Sequence, residues 1–229
     1  MAIQQIPRNA AGAIALPGAY SRKWEADFTT LTALPSWLTS AASEGTVAIT
    51  NGELVMTATR TVDGGANAFA YVAGPAIDVA SATALRFSVF GSYIATATRT
   101  EMMQAWSTWA DMTASVAGVR IGAQLHAASS LPSIPVLRHT QGDWPVSTIP
   151  QYRVDDNYGK DSARSDRTFT YIPSTKMAYA IEGREEVRIA REMTSFNATS
   201  VQPIWALRRL NTGTMDLRCR RIEIEVFYA

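Results

Sequence analysis

Two glutamates near the C-terminus have the type and spacing that paired-carboxylate chemistry requires. Glu223 and Glu225 are two residues apart in the segment RRIEIEVFYA, so on a strand both side chains project from one face. Their separation there is about 7 Å, which is compatible with the acid and base that cleave a glycosidic bond with inversion. Apolar residues alternate with them and are predicted to face the core, namely Ile222, Ile224 and Val226. The simpler interpretation is therefore that both glutamates face water or a neighbouring chain.

Histidine and cysteine add no recognisable catalytic pattern. His126 and His139 are the only two histidines, and no Gly-x-Ser-x-Gly motif accompanies them, so we interpret both as hydrogen-bonded structural residues. Cys219 is the only cysteine, which excludes an intrachain disulfide and a cysteine zinc site. It alternates with Leu217, which predicts a buried, inert thiol.

One acidic loop has the oxygen ligands that calcium prefers. The ligands would come from Asp155, Asp156, Asn157 and Asp161. Their spacing does not match an EF-hand loop, and nearby cations favour a self-neutralised, solvated turn; these cations are Lys160, Arg164 and Arg167. We expect no metal and no cofactor.

A candidate sugar platform lies in the same part of the chain. A flat aromatic ring stacks on a sugar face, and fixed polar groups orient its hydroxyls. The candidate ligand-binding residues are Trp144, Tyr152, Tyr158, Asp155 and Asn157. The alternative is that these rings fasten a long loop onto the rest of the domain.

Composition bounds the function classes. A chain of 229 residues with 47% hydrophobic residues can bury one sizeable core, so we expect one domain. The net charge is +1 with both signs interspersed, which argues against nucleic acid and anionic membranes as partners. No apolar run is long enough to cross a membrane, and the N-terminal residues do not resemble a signal peptide, so we expect synthesis in the cytoplasm.

Short alternating segments predict an all-β protein. Asn51-Gly52 lies between TVAIT and ELVMTAT and predicts a hairpin over residues 46–59. Further strands are predicted at 67–73, 84–90, 102–112, 116–127, 167–172, 177–183, 186–191, 204–209 and 217–229. No helical period supplies the crossovers of a parallel sheet, so the sheets should be antiparallel. A shift of the alternation at Arg220-Arg221 predicts a β-bulge.

Two segments fall outside this strand pattern. Residues 1–22 predict an extended N-terminal arm, followed by a sandwich over 23–229. The arm's apolar residues would each fill a pocket on another subunit, and they are Ile3, Ile6, Ile14 and Leu16. Residues 128–167 contain four prolines and predict a long irregular excursion, a feature that is usually functional.

Both ends of the chain resemble concanavalin-A-like jelly-roll domains. The opening WEADFTTLTALPSWLTSAASEGTVAITNGELVMTA has the Phe, Trp and Asn-Gly hairpin typical of these sandwiches. The segments MAYAIEGREEVRIAREM, PIWALRR and LRCRRIEIEVFYA are similar to their late hairpin and closing strand. The resemblance implies a last strand that pairs near the first. The Glu-x-Asp-x-x-Glu pattern of the family's hydrolases does not occur, which argues against an enzyme.

Within that superfamily, the Ala-, Thr- and Arg-rich composition most resembles bacteriophage tail or virion proteins. This resemblance implies a non-enzymatic minor tail protein on the outer surface of a virion. It would contact other virion proteins, copies of itself and a host-surface glycan. The alternatives are a separate carbohydrate-binding lectin domain and a glycoside hydrolase.

Overall fold

The structure is a computed structural model that describes residues 16–61, 68–94, 100–107, 119–128, 131–141, 165–182, 187–192, 196, 198–209 and 212–229. All regular secondary structure in these ranges is β-strand. The same ranges contain no helix that could cross a lipid bilayer. The strands are β1 Tyr20–Asp27, β2 Thr39–Ser43, β3 Gly45–Thr50, β4 Glu53–Arg60, β5 Ala68–Ala73, β6 Ile77–Asp78, β7 Ala82–Ile94, β8 Thr100–Ser107, β9 Val119–Ala128, β10 Leu131–Gln141, β11 Ser165–Ile172, β12 Met177–Glu182, β13 Val187–Glu192, β14 Ser200–Arg209, β15 Gly213–Cys219 and β16 Arg221–Tyr228.

The strands form two antiparallel sheets. The seven-stranded sheet has the order β10-β9-β8-β14-β5-β2, and β6 pairs with β14. The nine-stranded sheet has the order β13-β12-β11-β7-β15-β4-β3, and β16 pairs with both β7 and β1. The long strand β7 therefore holds β16 along its first part and β15 near its end. The C-terminal strand lies between β7 and β1, as the resemblance implied for the closing strand.

The core lies between the two sheets because alternate residues of each strand face the opposite sheet. Trp106 and Trp205 of the seven-stranded sheet are fully buried, and Phe87 of the nine-stranded sheet meets the Trp106 ring edge-on at 6.3 Å between centroids. Gln104 also points inward, where its Nε2 donates to the backbone oxygens of Phe87 at 2.8 Å and Arg167 at 3.2 Å. An antiparallel β-sandwich, the predicted class, is confirmed.

The predicted hairpin over residues 46–59 is confirmed by β3 and β4. Asn51 and Gly52 have positive φ values of 53° and 75°, the combination that a type I′ turn requires. A side chain at position 52 would also approach Thr29, whose Cα lies 3.4 Å from the position of an added Cβ. The turn thus fixes both the hairpin register and its contact with the segment after β1.

Two predicted boundaries are wrong. The irregular excursion over 128–167 contains strand β10, which pairs with β9 across Leu131–Gln141. Pro132 and Pro135 obscured it, but proline is tolerated in an edge strand, and β10 pairs only with β9 among the described strands. A register shift between Leu131 and Ile134 accommodates the first proline. The predicted arm over residues 1–22 also overlaps β1, which begins at Tyr20.

The predicted β-bulge at Arg220-Arg221 is wrong as well. The chain bends at Arg220, which separates β15 from β16. No extra residue is inserted relative to β7, because the pairs Arg218↔Tyr93 and Arg221↔Phe90 keep one register on both sides of the bend. The buried residues change from odd to even positions at Arg220, and β7 makes the same change at Gly91, whose φ is 60°.

Candidate functional site

Most residues of the predicted sugar platform and arm lie outside the described residues. This group contains Trp144, Tyr152, Tyr158, Asp155, Asn157, Ile3, Ile6 and Ile14. Leu16 is described and is half-buried against Ala84, Ile172 and Tyr179 on the outer face of the nine-stranded sheet. Its packing partners are therefore in its own chain, and pocket filling on another subunit stays a prediction for the remaining arm residues.

Glu223 and Glu225 lie side by side on the outer face of the nine-stranded sheet, as their spacing predicted. The core face of β16 is taken by Ile222, Ile224 and Val226, which are all at most 1% exposed. Glu223 forms ion pairs with Lys23 and Arg221, both at 3.2 Å. Glu225 accepts a hydrogen bond from the Ser21 hydroxyl at 2.7 Å and pairs with Arg86. Each carboxylate therefore has a cationic partner on a neighbouring strand, Lys23 of β1 for Glu223 and Arg86 of β7 for Glu225.

The two arginines that pair with these glutamates also lie over aromatic rings. The Arg221 guanidinium carbon lies 4.1 Å from the Phe90 ring centroid, and that of Arg86 lies 5.3 Å from the Phe227 ring centroid. Cations over ring faces are stabilised by the ring quadrupole. Both arginines are thus held by a carboxylate and by a ring, which keeps them oriented toward their glutamates.

The outer face of the seven-stranded sheet carries an aromatic pair. The rings of Phe69 and Tyr71 on β5 are stacked, with centroids 6.2 Å apart and an interplanar angle of 27°. Phe69 is half-buried and Tyr71 is 5% exposed. Small or aliphatic side chains surround the pair, namely Ala41, Ala73, Ala105, Ile204 and Ala206. Ala73, Ala105, Ile204 and Ala206 are at most 1% exposed, so this face carries a second buried apolar cluster, and Phe69 is its half-buried ring at the β5 flank.

An arginine stands beside these rings. The register of β14 and β5 places Arg208 opposite Phe69 and Ala206 opposite Tyr71. Strand alternation puts Arg208 on the face of Ala206, and its side chain is 8% exposed. The half-buried Phe69 ring and the buried Arg208 guanidinium are therefore neighbours across β5 and β14, and a ring beside a hydrogen-bond donor is the combination of group types that orients a sugar.

The sequence contains a signal for this pair that the strand prediction alone did not use. In the segment AFAYVA, Ala68, Ala70 and Val72 face the core and are at most 1% exposed. The two large rings alternate with these small core residues and must therefore leave the sheet on its opposite face. Aromatic residues in that position indicate that the opposite face of the sheet carries an apolar cluster of its own.

The described residues offer little for metal or thiol chemistry. Among them no three His, Cys, Asp or Glu side chains come together in a group suited to a metal ion. The acidic loop with Asp155, Asp156, Asn157 and Asp161 is outside those ranges. Cys219 is a free, fully buried thiol, as predicted, and burial raises its pKa. The side chains of His126 and His139 are likewise outside the description.

Comparison with known proteins shows similarity in structure but not in sequence. No protein-family model matches the chain, and no curated protein sequence matches it. Among solved structures, the Emp47p carbohydrate recognition domain is 14% identical, with a TM-score of 0.62 over 96% of this chain and 99% of that one. Peanut lectin is 12% identical, with a TM-score of 0.60 over 92% and 99% of the two chains.

A glycosidic hydrolase is also similar, with 10% identity and a TM-score of 0.56 over 88% of this chain and 94% of that one. At such identities the similarity establishes the fold alone. The chain has the concanavalin-A-like jelly-roll fold, and lectin domains are among its structural neighbours. The fold type predicted from the two ends of the sequence is confirmed.

Proposed function

We propose that this chain is a non-enzymatic component of a bacteriophage virion, a minor tail protein whose lectin-like sandwich binds carbohydrate. The observation that carries the carbohydrate part is the stacked Phe69–Tyr71 pair on the outer face of the seven-stranded sheet. The residues that would contact the sugar are Phe69 through its half-buried ring and Arg208 through its guanidinium. The sequence-predicted residues around Trp144 remain the second candidate contact.

The fold comparisons support the carbohydrate part. The structures similar to this chain include a carbohydrate recognition domain and a basic winged bean lectin crystallised with the Tn-antigen. Those properties belong to the proteins named. They support the proposal here because a sugar needs a rigid ring with a few donors, and the half-buried Phe69 ring lies next to the Arg208 guanidinium on one sheet face.

The ion pairs of Glu223 and Glu225 support a non-enzymatic role. A general acid must give its proton to the leaving group, and a general base must take one from water. Here Glu223 is held between Lys23 and Arg221, while Glu225 is held by Ser21 and Arg86. The only paired carboxylates that the sequence suggested for hydrolysis therefore have structural partners.

Carbohydrate binding is tested by screening the purified full-length chain against a glycan array and measuring hits by calorimetry. We expect saturable binding that weakens about tenfold in Phe69→Ala, the usual contribution of one ring contact. Phe227→Ala is the matched control, because Phe227 is also half-buried but lies on the outer face of the other sheet. Each variant is checked for thermal stability so that unfolding is not read as lost affinity.

The outcomes separate two positions for the site. Loss in Phe69→Ala with binding retained in Trp144→Ala supports the sheet face. The reverse result would move the site to the Trp144 segment and overturn the role given to the ring pair. If the chain binds none of the glycans saturably at any concentration, the carbohydrate part of the proposal is overturned as a whole.

Glycoside hydrolysis is the competing function, favoured by the structural similarity to a glycosidic hydrolase. Turnover of a polysaccharide that is lost in Glu223→Gln or Glu225→Gln would overturn the non-enzymatic proposal. The virion part has its own test, since an antibody raised against the chain should detect it in gradient-purified phage particles. Its absence from particles would overturn the tail assignment and leave carbohydrate binding untouched.

A further inference from the structure

Strand β1 leaves one of its two edges open. It pairs with β16 along all eight residues, from Tyr20↔Tyr228 to Asp27↔Arg221, with no shift in register. Among the described strands none pairs with its other edge. A long edge without proline or bulge is a ready template for another strand, and proteins usually cover or interrupt such edges.

The hydrogen-bond pattern shows which residues face that open edge. The N–H of Phe28, just after β1, donates to the Arg220 oxygen at 2.8 Å, which makes the even-numbered positions the hydrogen-bonded pairs with β16. In an antiparallel ladder the alternate residues direct their N–H and C=O groups the other way. The backbone N–H and C=O groups of Ser21, Lys23 and Glu25 therefore point away from β16, toward the open edge.

The side chains at this edge are exposed. Five of its eight residues are exposed, namely Tyr20, Ser21, Arg22, Lys23 and Glu25. Tyr20 is 63% exposed and stacks on Tyr228, with ring centroids 5.1 Å apart. The edge is therefore accessible to another chain along most of its length.

Charges along the edge are complementary to themselves in one register. Lys23 and Glu25 differ by two residues, so an antiparallel copy centred on residue 24 brings each of them opposite the other. In that register the pairs Lys23 with Glu25, and Ser21 with Asp27, occupy the hydrogen-bonded positions. Centring on residue 23 would instead place two lysines opposite each other, which is destabilising.

We propose that β1 pairs antiparallel with β1 of a second copy of this chain, so that the two nine-stranded sheets join across a two-fold axis at Trp24. Lys23 then meets Glu25 of the partner subunit on both sides of the axis. Trp24 meets Trp24 of the partner subunit at a non-hydrogen-bonded position, where side chains approach most closely. This interface does not use the ring pair of the proposed sugar site.

The contacts within one chain leave room for this pairing. Lys23 bonds Glu25 of its own chain at 2.8 Å and Glu223 at 3.2 Å, which occupies two of the three donors of its ammonium group. The third is available to Glu25 of the partner subunit.

The test is the mass of the full-length chain by light scattering and analytical ultracentrifugation across a concentration series. We expect a monomer–dimer equilibrium that Lys23→Glu weakens by about tenfold, because two attractive pairs become repulsive. Glu25→Lys should weaken it similarly, and the double variant Lys23→Glu with Glu25→Lys should restore the dimer. Higher salt should weaken the wild-type dimer.

A backbone variant tests the edge itself. Lys23→Pro removes an outward N–H while leaving the bonds of β1 to β16, and proline is accepted at an edge. We expect it to be monomeric, whereas Lys23→Ala, which keeps the N–H, should retain a weaker dimer. A wild-type monomer at every concentration would overturn the proposal. A dimer that survives both Lys23→Pro and Lys23→Glu would overturn it too, since it would use another surface.

Discussion

Gly91 of β7 lies opposite Arg220, the residue between β15 and β16, and both depart from regular strand geometry at the same level. Gly91 has a φ of 60°, and the Arg220 N–H donates to the oxygen of Phe90 at 2.9 Å. A Cβ at position 91 would lie 3.3 Å from Cγ and Cδ of Arg220. Because the chain changes face at the same level on both sides, the residue pairing continues without a shift. The buried residues change there from odd to even positions along the chain.

Gly91→Ala should destabilise the protein by about 1–2 kcal/mol, the cost of a left-handed conformation for a residue with a Cβ. The tight approach to Arg220 adds to this cost. Gly91→Asn is the matched control, because asparagine tolerates positive φ and should lose less stability than alanine. Urea unfolding followed by tryptophan fluorescence measures both variants. Equal stability of Gly91→Ala and the wild type would contradict the role given to this pair.

Gln104 ties the two sheets together through the core. Its amide nitrogen reaches the backbone oxygens of Phe87 and Arg167, and its side chain is 1% exposed. Gln104→Leu keeps a similar volume but leaves both oxygens without this donor, so we expect a loss of about 1–3 kcal/mol in the free energy of unfolding.

The control for Gln104 is Leu207→Met, a volume-conserving change at a fully buried position of the adjacent strand. That change should cost under about 1.5 kcal/mol. Gln104→Leu at least as stable as the wild type in chemical unfolding would show that the amide contributes no net stability. In that case apolar packing alone would hold the sheets together at this point.

The fold was predictable because its signals are local. Asn51-Gly52 specifies a hairpin whatever surrounds it, and strand alternation identified β16 and its buried residues. Strand β10 was missed because Pro132 and Pro135 argue against a strand until the strand is known to be at an edge. Strand β1 was missed because both of its faces are exposed over Tyr20–Lys23, so it lacks the alternation that burial on one face produces.

The candidate site was less predictable because it depends on pairs that are distant in sequence. Phe69 and Tyr71 could be identified from their own strand, but Arg208 joins them only through the register of β14. Likewise, the spacing of Glu223 and Glu225 predicted a shared face, whereas two of their cationic partners, Lys23 and Arg86, come from β1 and β7. No local pattern indicates which strand will lie next to another in a sandwich.

Cys219 should not react with a thiol reagent in the folded protein. Its side chain is 0% exposed, and burial, followed by the nearby charge of Glu53, raises the pKa of the thiol well above its usual range. The reactive thiolate is therefore scarce as well as inaccessible. We expect a dithiobis-nitrobenzoate assay to detect no thiol in the native chain and one thiol per chain in guanidinium. Rapid labelling without denaturant would contradict the burial of this strand.

The same thiol makes stability depend on alkaline pH. A group whose pKa is raised by folding contributes stability below its unfolded pKa, and this contribution is lost as pH rises through the folded pKa. For an unfolded cysteine the loss begins near pH 8.5, about the pKa of a free thiol. Because the unfolded chain then binds fewer protons than the folded one, stability falls. Cys219→Ala should flatten the unfolding free energy between neutral and alkaline pH relative to the wild type, and an unchanged slope would assign the alkaline loss to other groups.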